Sequence, residues 1–338
     1  MKKIKKEKSK KSKIRLVLLF IIFELLFTII TGPFMIYYGP FKNVKSTVVG
    51  AAMTTFSLQW LVTSFLSDEK IKEIMRQQKV DTIVQDNSHG IGTGVKVKNK
   101  DDKSVIRYQI VGNKFKGYLL VINDPTRIKV GYSSKLGTEG ELTSVIARGN
   151  NAIAAINGGG FTDKNSGSLW TGTGAKPSGV IMSGGKIVYN GINNDNEKID
   201  TVALTKLGKL LVGHYTIKEM RKFGVTEAVS FGPAMIVNGH KTINHGNGGW
   251  GIAPRTCIAQ RKDGAILFLV IDGRQIRSLG ATLREAQDVL YEHGAYNATN
   301  LDGGSSSTLF YDDEVINNPC DSLGERSVPS IIYVENRK

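Results

Sequence analysis

Cysteine, histidine and proline are scarce in this 338-residue chain, which holds 2, 5 and 8 of them. Two cysteines, Cys257 and Cys320, are too few for a disulfide framework. They form either one bridge or two ordinary core side chains, and we favour the second. No Cys/His spacing resembles that of a zinc site. Glycine is abundant instead, with 38 residues, which is typical of many tight strand connections rather than of a disordered or collagen-like chain.

Positive charge is concentrated at the N-terminus. The formal net charge is +15, and residues 1–15 contain eight Lys, one Arg and one Glu, or 9 − 1 = +8. A basic tail of this kind is compatible with nucleic-acid binding. Because a long apolar run follows it directly, we expect a basic head beside a membrane and no nucleic-acid partner.

Residues 16–38 form an apolar run of 23 residues in which Glu24 is the only charged side chain. As a helix the run would be roughly 35 Å long, which is enough to cross a bilayer core. It is longer than a secretory signal core, and no small-residue cleavage site follows it. We therefore predict an uncleaved single-pass anchor in the cell membrane. The positive-inside rule places residues 1–15 in the cytoplasm and the catalytic domain outside it.

A second, weaker apolar run covers residues 47–66 and includes Gln59 and several Thr and Ser. Its length would also permit a crossing, which would return the rest of the chain to the cytoplasm. We favour an interfacial or domain-packed helix because of the polar content, and the crossing stays open. Residues 39–100 are predicted to be a stalk or connector with an amphipathic helix near 68–79, and residues 101–338 one domain.

From residue 104 onward, short β-branched and aromatic runs alternate with Gly, Asn and Asp turns, which is typical of strands. Thr282 and Glu285 have the spacing of a capping box that begins a helix ending at Gly294. Further helices are expected near 216–223 and 142–148. The pattern predicts a mixed, β-rich α+β domain that follows the transmembrane helix. The predicted strands are 105–111, 117–122, 152–156, 179–182, 186–189, 209–212, 234–237, 256–259, 265–271, 308–311 and 330–334.

The segment NLDGGSSST, residues 300–308, places Asp302 after an apolar lead-in and before glycines and hydroxyls. Such a loop suits an anionic or sugar ligand, although it could equally be a tight turn. Segments 154–161, 230–239, 253–257 and 268–274 have the same character. Ligands commonly bind outside strand ends, where loops from separate strands converge. If these ends meet, the pocket contains Asn157, Arg255, Asp272, Arg274 and Asp302.

Two arginines in one pocket suit phosphate recognition, and two carboxylates suit acid–base chemistry on a sugar. Each residue also has a structural alternative. The Asp272-Gly273 pair could be an ordinary turn, Arg255 could belong to a structural ion pair, and Asn157 could cap backbone groups.

Seven motifs occur in order: INGGGF (156–161), FGPAMIVNG (231–239), PRTCIA (254–259), IDGR (271–274), EAQDVLYEHGAYNA, NLDGGSSST (300–308) and ERSVPS (325–330). Together they resemble the phosphodiester glycosidase family over roughly residues 100–335. That family includes N-acetylglucosamine-1-phosphodiester α-N-acetylglucosaminidase, and its bacterial members are described as exopolysaccharide-related. Two departures stand out: Ser305 replaces the family's third glycine after LDGG, and Gly160 stands where a bulky aromatic residue is frequent.

The resemblance implies hydrolysis of a sugar-1-phosphodiester on the sugar side, in a phosphosugar or anionic glycopolymer of the cell envelope. Asp302 would activate water or stabilise the oxocarbenium-like centre, and Asp272 would support it or act as its acid or base partner, although the two roles could be exchanged. Substrate would be held by Asn157, Gly158, Gly159, Arg255, Arg274, Gly303, Gly304, Ser305 and Ser306.

No cofactor is required by this interpretation. Two alternatives stay open: a phosphodiesterase that cuts at phosphorus with a divalent metal held by Asp272 and Asp302, and a non-catalytic binding or scaffold module. The sequence leaves open the sugar, the polymer, and hydrolysis versus transfer to another acceptor.

Overall fold

The structure is a computed structural model that describes residues 2–53, 58–78, 80–85, 94–162, 174–321 and 323–337. Contacts divide the chain into two compact units, Met1–Gln77 and Gln78–Lys338.

The first unit is helical and begins with a long apolar helix. It contains α1 (Lys2–Tyr38), α2 (Lys42–Met53), α3 (Trp60–Thr63) and α4 (Asp68–Arg76). Segment Lys13–Tyr38 of α1 is long and apolar enough to cross a membrane, and a signal sequence would have the same composition. Ser67 caps α4 by accepting a hydrogen bond from the Lys70 amide.

The second apolar run forms two short helices, α2 and α3, in its described part, and residues 54–57 lie outside the described residues. Val49 and Val62 from these helices are fully buried. They pack with Tyr37, Ile71 and other apolar side chains of the same unit. Among the described residues, α1 is the one helix with the length and composition of a membrane span.

The second unit is the predicted mixed, β-rich α+β domain. Its helices are α5 (Thr143–Gly149), α6 (Ile217–Lys222) and α7 (Leu283–Glu292). Its strands are β1 (Val105–Val111), β2 (Lys116–Ile122), β3 (Ile128–Tyr132), β4 (Glu141–Leu142), β5 (Ala152–Asn157), β6 (Phe161–Thr162), β7 (Lys176–Pro177), β8 (Val180–Ser183), β9 (Lys186–Asn190), β10 (Ile199–Thr205), β11 (Leu210–Tyr215), β12 (Val225–Val229), β13 (Ala234–Val237), β14 (His240–Lys241), β15 (Arg255–Arg261), β16 (Ile266–Ile271), β17 (Ala295–Asn300), β18 (Leu309–Tyr311), β19 (Glu314–Val315), β20 (Ser327–Val328) and β21 (Ser330–Glu335).

Three sheets carry most of these strands. A seven-stranded sheet has the order β1-β2-β16-β15-β17-β13-β14. Two five-stranded sheets have the orders β19-β18-β5-β21-β3 and β11-β10-β12-β8-β9. The main core lies between sheets, where Ile156, Leu204, Ile258 and Phe268 are buried together.

Helix α7 covers the other face of the seven-stranded sheet. Leu283, Ala286 and Leu290 pack against Cys257 and Leu269 of that sheet. The predicted capping box is confirmed, since the Thr282 side chain and the Glu285 side chain each accept a hydrogen bond from the other residue's amide. Because β15 is antiparallel to both β16 and β17, its start lies beside their ends.

Candidate functional site

The strand ends that carry the sequence motifs meet at one edge of the domain. In the seven-stranded sheet, Arg255 at the start of β15 is paired with Ile271 at the end of β16. Cys257 is paired with Asn300 at the end of β17. The end of β5 belongs to another sheet and reaches the same place through the hydrogen bonds of Asn157. The predicted convergence is therefore observed.

Asn157 links two of the sheets through hydrogen bonds next to Asp302. Its side-chain amide Nδ2 donates to the backbone oxygen of Asp302 over 2.6 Å. Its Oδ1 accepts from Thr256 Oγ1 at 2.8 Å and from the Thr308 amide at 3.2 Å. The residue has no exposed surface. The structure thus gives Asn157 the capping role that the sequence offered as an alternative, and contact with substrate stays a prediction.

Gly158 and Gly159 let the chain pass very close to its neighbours. Their amides donate to the Ser330 backbone oxygen at 2.9 Å and to Ser330 Oγ at 3.3 Å. A Cβ atom at Gly158 would lie 2.5 Å from Ser330 Oγ, and one at Gly159 would lie 2.8 Å from the Ser230 backbone oxygen. These two amides act within the protein, and their predicted contact with substrate remains untested.

The loop that contains Asp302, residues 301–308, forms backbone hydrogen bonds to two other segments. The Asp302 amide donates to the Gly158 backbone oxygen at 3.3 Å, and the Gly304 amide donates to the Pro254 backbone oxygen at 3.0 Å. Gly303 packs against Pro254, where a Cβ atom would meet that oxygen at 2.9 Å. Gly304 has φ +63°, a conformation that favours glycine. Asp302 is partly exposed.

The hydroxyl groups after Gly304 differ in accessibility. Ser305 is partly exposed, whereas Ser306 and Thr308 have no exposed surface and Ser307 is only 1% exposed. In the described part of the chain, the side-chain oxygens of the three buried residues have no hydrogen-bond partner. Ser305 is therefore better placed than Ser306 to meet a substrate.

Asp272 is joined to the Asp302 loop through Asn317. Asp272 Oδ1 accepts from the Asn318 amide at 2.9 Å and from Asn317 Nδ2 at 3.1 Å. The same Asn317 nitrogen donates to the Ser307 backbone oxygen at 3.1 Å. Burial raises the pKa of the Asp272 carboxyl, and the hydrogen bonds from Asn318 and Asn317 oppose that rise. Sequence reasoning missed Asn317, because an Asn-Asn pair in a loop carries no distinctive pattern.

Arg255 is 2% exposed and braces the loop that precedes β15. Its Nε donates to the Ala281 backbone oxygen at 2.9 Å. Its Nη2 donates to the backbone oxygens of Trp250 and Gly251 at 2.9 and 2.7 Å. Burial lowers the pKa of the Arg255 guanidinium to about 10. These partners are carbonyls rather than the ion pair considered from the sequence, and phosphate binding by Arg255 stays a prediction.

Two other arginines flank the turn at Gly304 and Ser305. The Arg274 guanidinium lies 3.4 Å from the position of a Cβ atom on Gly304. Arg326 Nη1 donates to Ser305 Oγ at 3.3 Å, and its guanidinium lies 4.8 Å from the ring centre of Phe161. Sequence reasoning did not select Arg326, although it belongs to the ERSVPS motif, which would have been the signal.

Gly160 accommodates an aromatic ring that comes from another strand connection. A Cβ atom at Gly160 would lie 2.9 Å from the Phe231 ring. That ring meets Trp250 edge to face, with 5.8 Å between centroids. Phe231 therefore occupies the space next to Gly160, which gives a physical reason for the absence of a bulky side chain at this position.

Potential metal ligands do not cluster in the described residues. Over the ranges that the structure covers, no group of three or more His, Cys, Asp or Glu is placed to hold a metal ion. Cys257 is fully buried and Cys320 is half-buried, and both are free thiols. Of the two core side chains that the sequence favoured, Cys257 lies in the core and Cys320 does not.

The family model for phosphodiester glycosidase matches residues 150–335, which contain every predicted site residue. The chain belongs to this family. Family and fold together support a hydrolase of the glycosidase type.

The relatives differ in how much of each chain they share. An uncharacterized SPbeta prophage-derived protein of Bacillus subtilis (strain 168), YomE, is 40% identical over 81 residues. That match covers 24% of this chain and 12% of the relative, so the chain spans a small part of YomE's length.

Two solved structures show the fold alone. The zebrafish N-acetylglucosamine-1-phosphodiester α-N-acetylglucosaminidase catalytic domain, auto-inhibited by its pro-peptide, has a TM-score of 0.59 at 21% identity, covering 75% of this chain and 91% of the other. An exported protein from Burkholderia pseudomallei K96243 has a TM-score of 0.50 at 17% identity, covering 66% and 74%.

Proposed function

We propose that this protein is a membrane-anchored hydrolase that cleaves the sugar–phosphate bond of a glycosyl-1-phosphodiester in a cell-envelope glycopolymer. The proposal rests on the proximity of two aspartate loops and two arginines. The loops of Asp272 and Asp302 are tied together by Asn317, and two arginines lie against the same turn at Gly304 and Ser305.

The arginines supply the charge that the leaving group needs. When the bond from sugar C1 to the phosphate oxygen breaks, its electron pair goes to the departing phosphate. Arg274 and Arg326 stabilise that negative charge, because guanidinium groups form paired hydrogen bonds to phosphate. Ser305, which already accepts a hydrogen bond from Arg326, is the hydroxyl that completes this contact. Arg255 holds the adjoining loop, residues 250–254, in place.

The carboxylates act on the sugar side. Asp302, which is partly exposed, accepts the proton of the attacking water, and the water oxygen forms the new bond to C1. Asp272 is the partner that stays protonated to higher pH than an ordinary aspartate, because burial raises its pKa. A phosphate monoester leaves readily, so only modest proton donation by Asp272 is required. In this proposal the reaction uses no metal, since the arginines provide the positive charge.

The N-terminal helix supports a proposal for the place of action. We propose that segment Lys13–Tyr38 is an uncleaved anchor with its basic head in the cytoplasm. The second unit is then extracytoplasmic, where polymeric sugar phosphates occur in a cell envelope. Two arginines beside the partly exposed Ser305 hydroxyl support an anionic polymer as the substrate class.

The proposal is tested by offering the full chain in detergent a panel of glycosyl-1-phosphodiesters that differ in sugar and in aglycone. Release of free sugar and a phosphate monoester from at least one compound is expected. Asp302→Asn is expected to lower the rate at least ~100-fold, in the range typical for a positioned acid or base. Asp195→Asn, at a half-exposed carboxylate paired with Arg221, is the matched control and is expected to retain full activity. Turnover of no compound by folded protein would contradict the proposal.

A further inference from the structure

A short hairpin projects from the candidate site directly after Asp272. We call residues 274–279 the rim hairpin. The Arg274 amide donates to the Leu279 backbone oxygen at 3.1 Å, and the backbones of Gln275 and Ser278 exchange hydrogen bonds of 3.0 and 3.1 Å. These bonds leave Ile276 and Arg277 at the tip.

The base of the rim hairpin is fixed to the rest of the domain. Ser278 Oγ donates to the Asp272 backbone oxygen at 2.6 Å and accepts from the Lys116 amide at 3.0 Å. Gln275 Nε2 donates to the Asn318 backbone oxygen at 2.7 Å, and Asn318 Nδ2 donates to Gln275 Oε1 at 2.8 Å. The tip is thus presented by a well-supported turn whose anchor residue, Asn318, also donates to Asp272.

The side chains that this turn presents are apolar and fully accessible. Ile276 is 101% exposed and Leu279 is 54% exposed. Single exposed apolar residues are common on protein surfaces. Ile276 gains hydrophobic stabilisation only when a contact removes its side chain from water. This favours a contact that buries the tip.

Basic residues occur in the rim hairpin and in the turn that is hydrogen-bonded to its base. Arg274 and Arg277 are part of the rim hairpin, and the adjoining turn contributes Lys114 and Lys116. Lys114 is paired with Glu285 at 2.9 Å. Over the ranges that the structure describes, neither Lys116 nor Arg277 is in a salt bridge. The nearest acidic side chain along the chain, Asp272, is buried. The rim is therefore cationic as well as apolar.

We propose that the rim hairpin contacts the surface of a bilayer containing anionic lipids, with Ile276 in the interfacial region and Arg277 at the lipid phosphates. Basic residues beside apolar ones are what an interfacial contact requires, because the headgroups take the charge and the acyl boundary takes the apolar side chain. A soluble polyanion would satisfy the arginine but would leave Ile276 in water. The candidate site then opens at the membrane surface. This inference does not depend on the reaction proposed above.

The test is tryptophan quenching by lipid in the full chain. The Ile276→Trp variant is compared with Leu207→Trp, whose parent residue is also exposed, at 59%, in the turn between β10 and β11. Each variant is reconstituted into phosphatidylcholine vesicles with or without phosphatidylglycerol, made from ordinary or acyl-brominated lipid. The native Trp residues are common to both variants and cancel in the comparison.

Bromolipid is expected to quench the tryptophan introduced by Ile276→Trp and not the one introduced by Leu207→Trp. The difference between the two variants is expected to grow when phosphatidylglycerol is present. Arg277→Glu, added to the Ile276→Trp variant, removes one positive charge and adds a negative one. It is expected to weaken the contact by roughly 25-fold, since one basic residue near an anionic surface is worth about fivefold.

Equal quenching of the two variants, or quenching indifferent to phosphatidylglycerol, would overturn the proposal. If soluble polyphosphate alters the emission of the Ile276→Trp variant while bromolipid does not quench it, the partner is a polyanion and the bilayer proposal is rejected.

Discussion

Replacing Asn157 with alanine distinguishes its positioning of the Asp302 backbone from a direct contact with substrate. The change deletes three buried hydrogen bonds, to the Asp302 backbone oxygen, to Thr256 Oγ1 and to the Thr308 amide. Each such bond contributes about 1 kcal/mol, and buried groups left unpaired add to the loss. The free energy of unfolding should therefore fall by about 3 kcal/mol, a large share of the roughly 5–15 kcal/mol typical of a domain.

Urea unfolding of the full chain in detergent, followed by tryptophan fluorescence, measures this loss. Asn190→Ala is the matched control, because Asn190 is exposed and accepts one hydrogen bond, from the Ile192 amide. That variant should unfold within about 0.5 kcal/mol of the parent, as surface substitutions usually do. Unchanged stability of Asn157→Ala together with lost substrate binding would refute the positioning role and restore the direct contact expected from the sequence.

Three further predictions concern the turn, the buried carboxyl and the charge at the mouth. Gly304→Ala should lower both stability and activity, because Gly304 has φ +63° and lies beside Arg274. Gly224→Ala, at φ +67° in open space, should lower only the stability, by about 1 kcal/mol. Equal activity of the two variants would contradict a role of the Gly304 turn in the site. Because the pKa of Asp272 is raised in the folded state, the carboxyl contributes its full stabilisation below its ordinary pKa of 3.8 and loses it as pH rises through the folded-state pKa. Asp272→Asn should therefore flatten the fall in the free energy of unfolding over that pH window. An unchanged pH profile of this variant would count against the raised pKa. Arg326→Lys should raise the KM for a phosphodiester at least ~10-fold, because lysine lacks the paired donors of arginine. Arg284→Lys, at an exposed arginine on α7, is the control and should change the KM little. A larger KM change for Arg284→Lys than for Arg326→Lys would exclude Arg326 from phosphate binding.

Local sequence patterns predicted much of the fold. Every predicted strand is present, and β1 has the bounds that were expected. The capping box of α7 was recognisable because its chemistry is local. Strand β17 was missed because its sequence, AYNATN, has little β-branched or aromatic character. Its polar residues Asn297, Thr299 and Asn300 are buried by strands distant in sequence, which no local pattern reveals.

The site shows the same division between local and distant information. Strand ends rich in Gly and Asp indicated where loops would converge, and the sheet register brings them together. What each side chain does there depends on partners far along the chain. Phosphate binding by Arg255 stays a prediction, and no local pattern indicates that its Nε and Nη2 donate to the carbonyls of Trp250, Gly251 and Ala281. Conversely, Arg326 contacts Ser305 and Phe161, which are distant from it in sequence.

The bond that breaks distinguishes the proposed glycosidase from a phosphodiesterase. Hydrolysis of an accepted glycosyl-1-phosphodiester in heavy-oxygen water, followed by mass spectrometry of both products, identifies the atom that water attacks. The label is expected in the hydroxyl on sugar C1, with none in the phosphate, and chelating agents are expected to leave the rate unchanged. Label in the phosphate would contradict the glycosidase proposal and would establish attack at phosphorus instead.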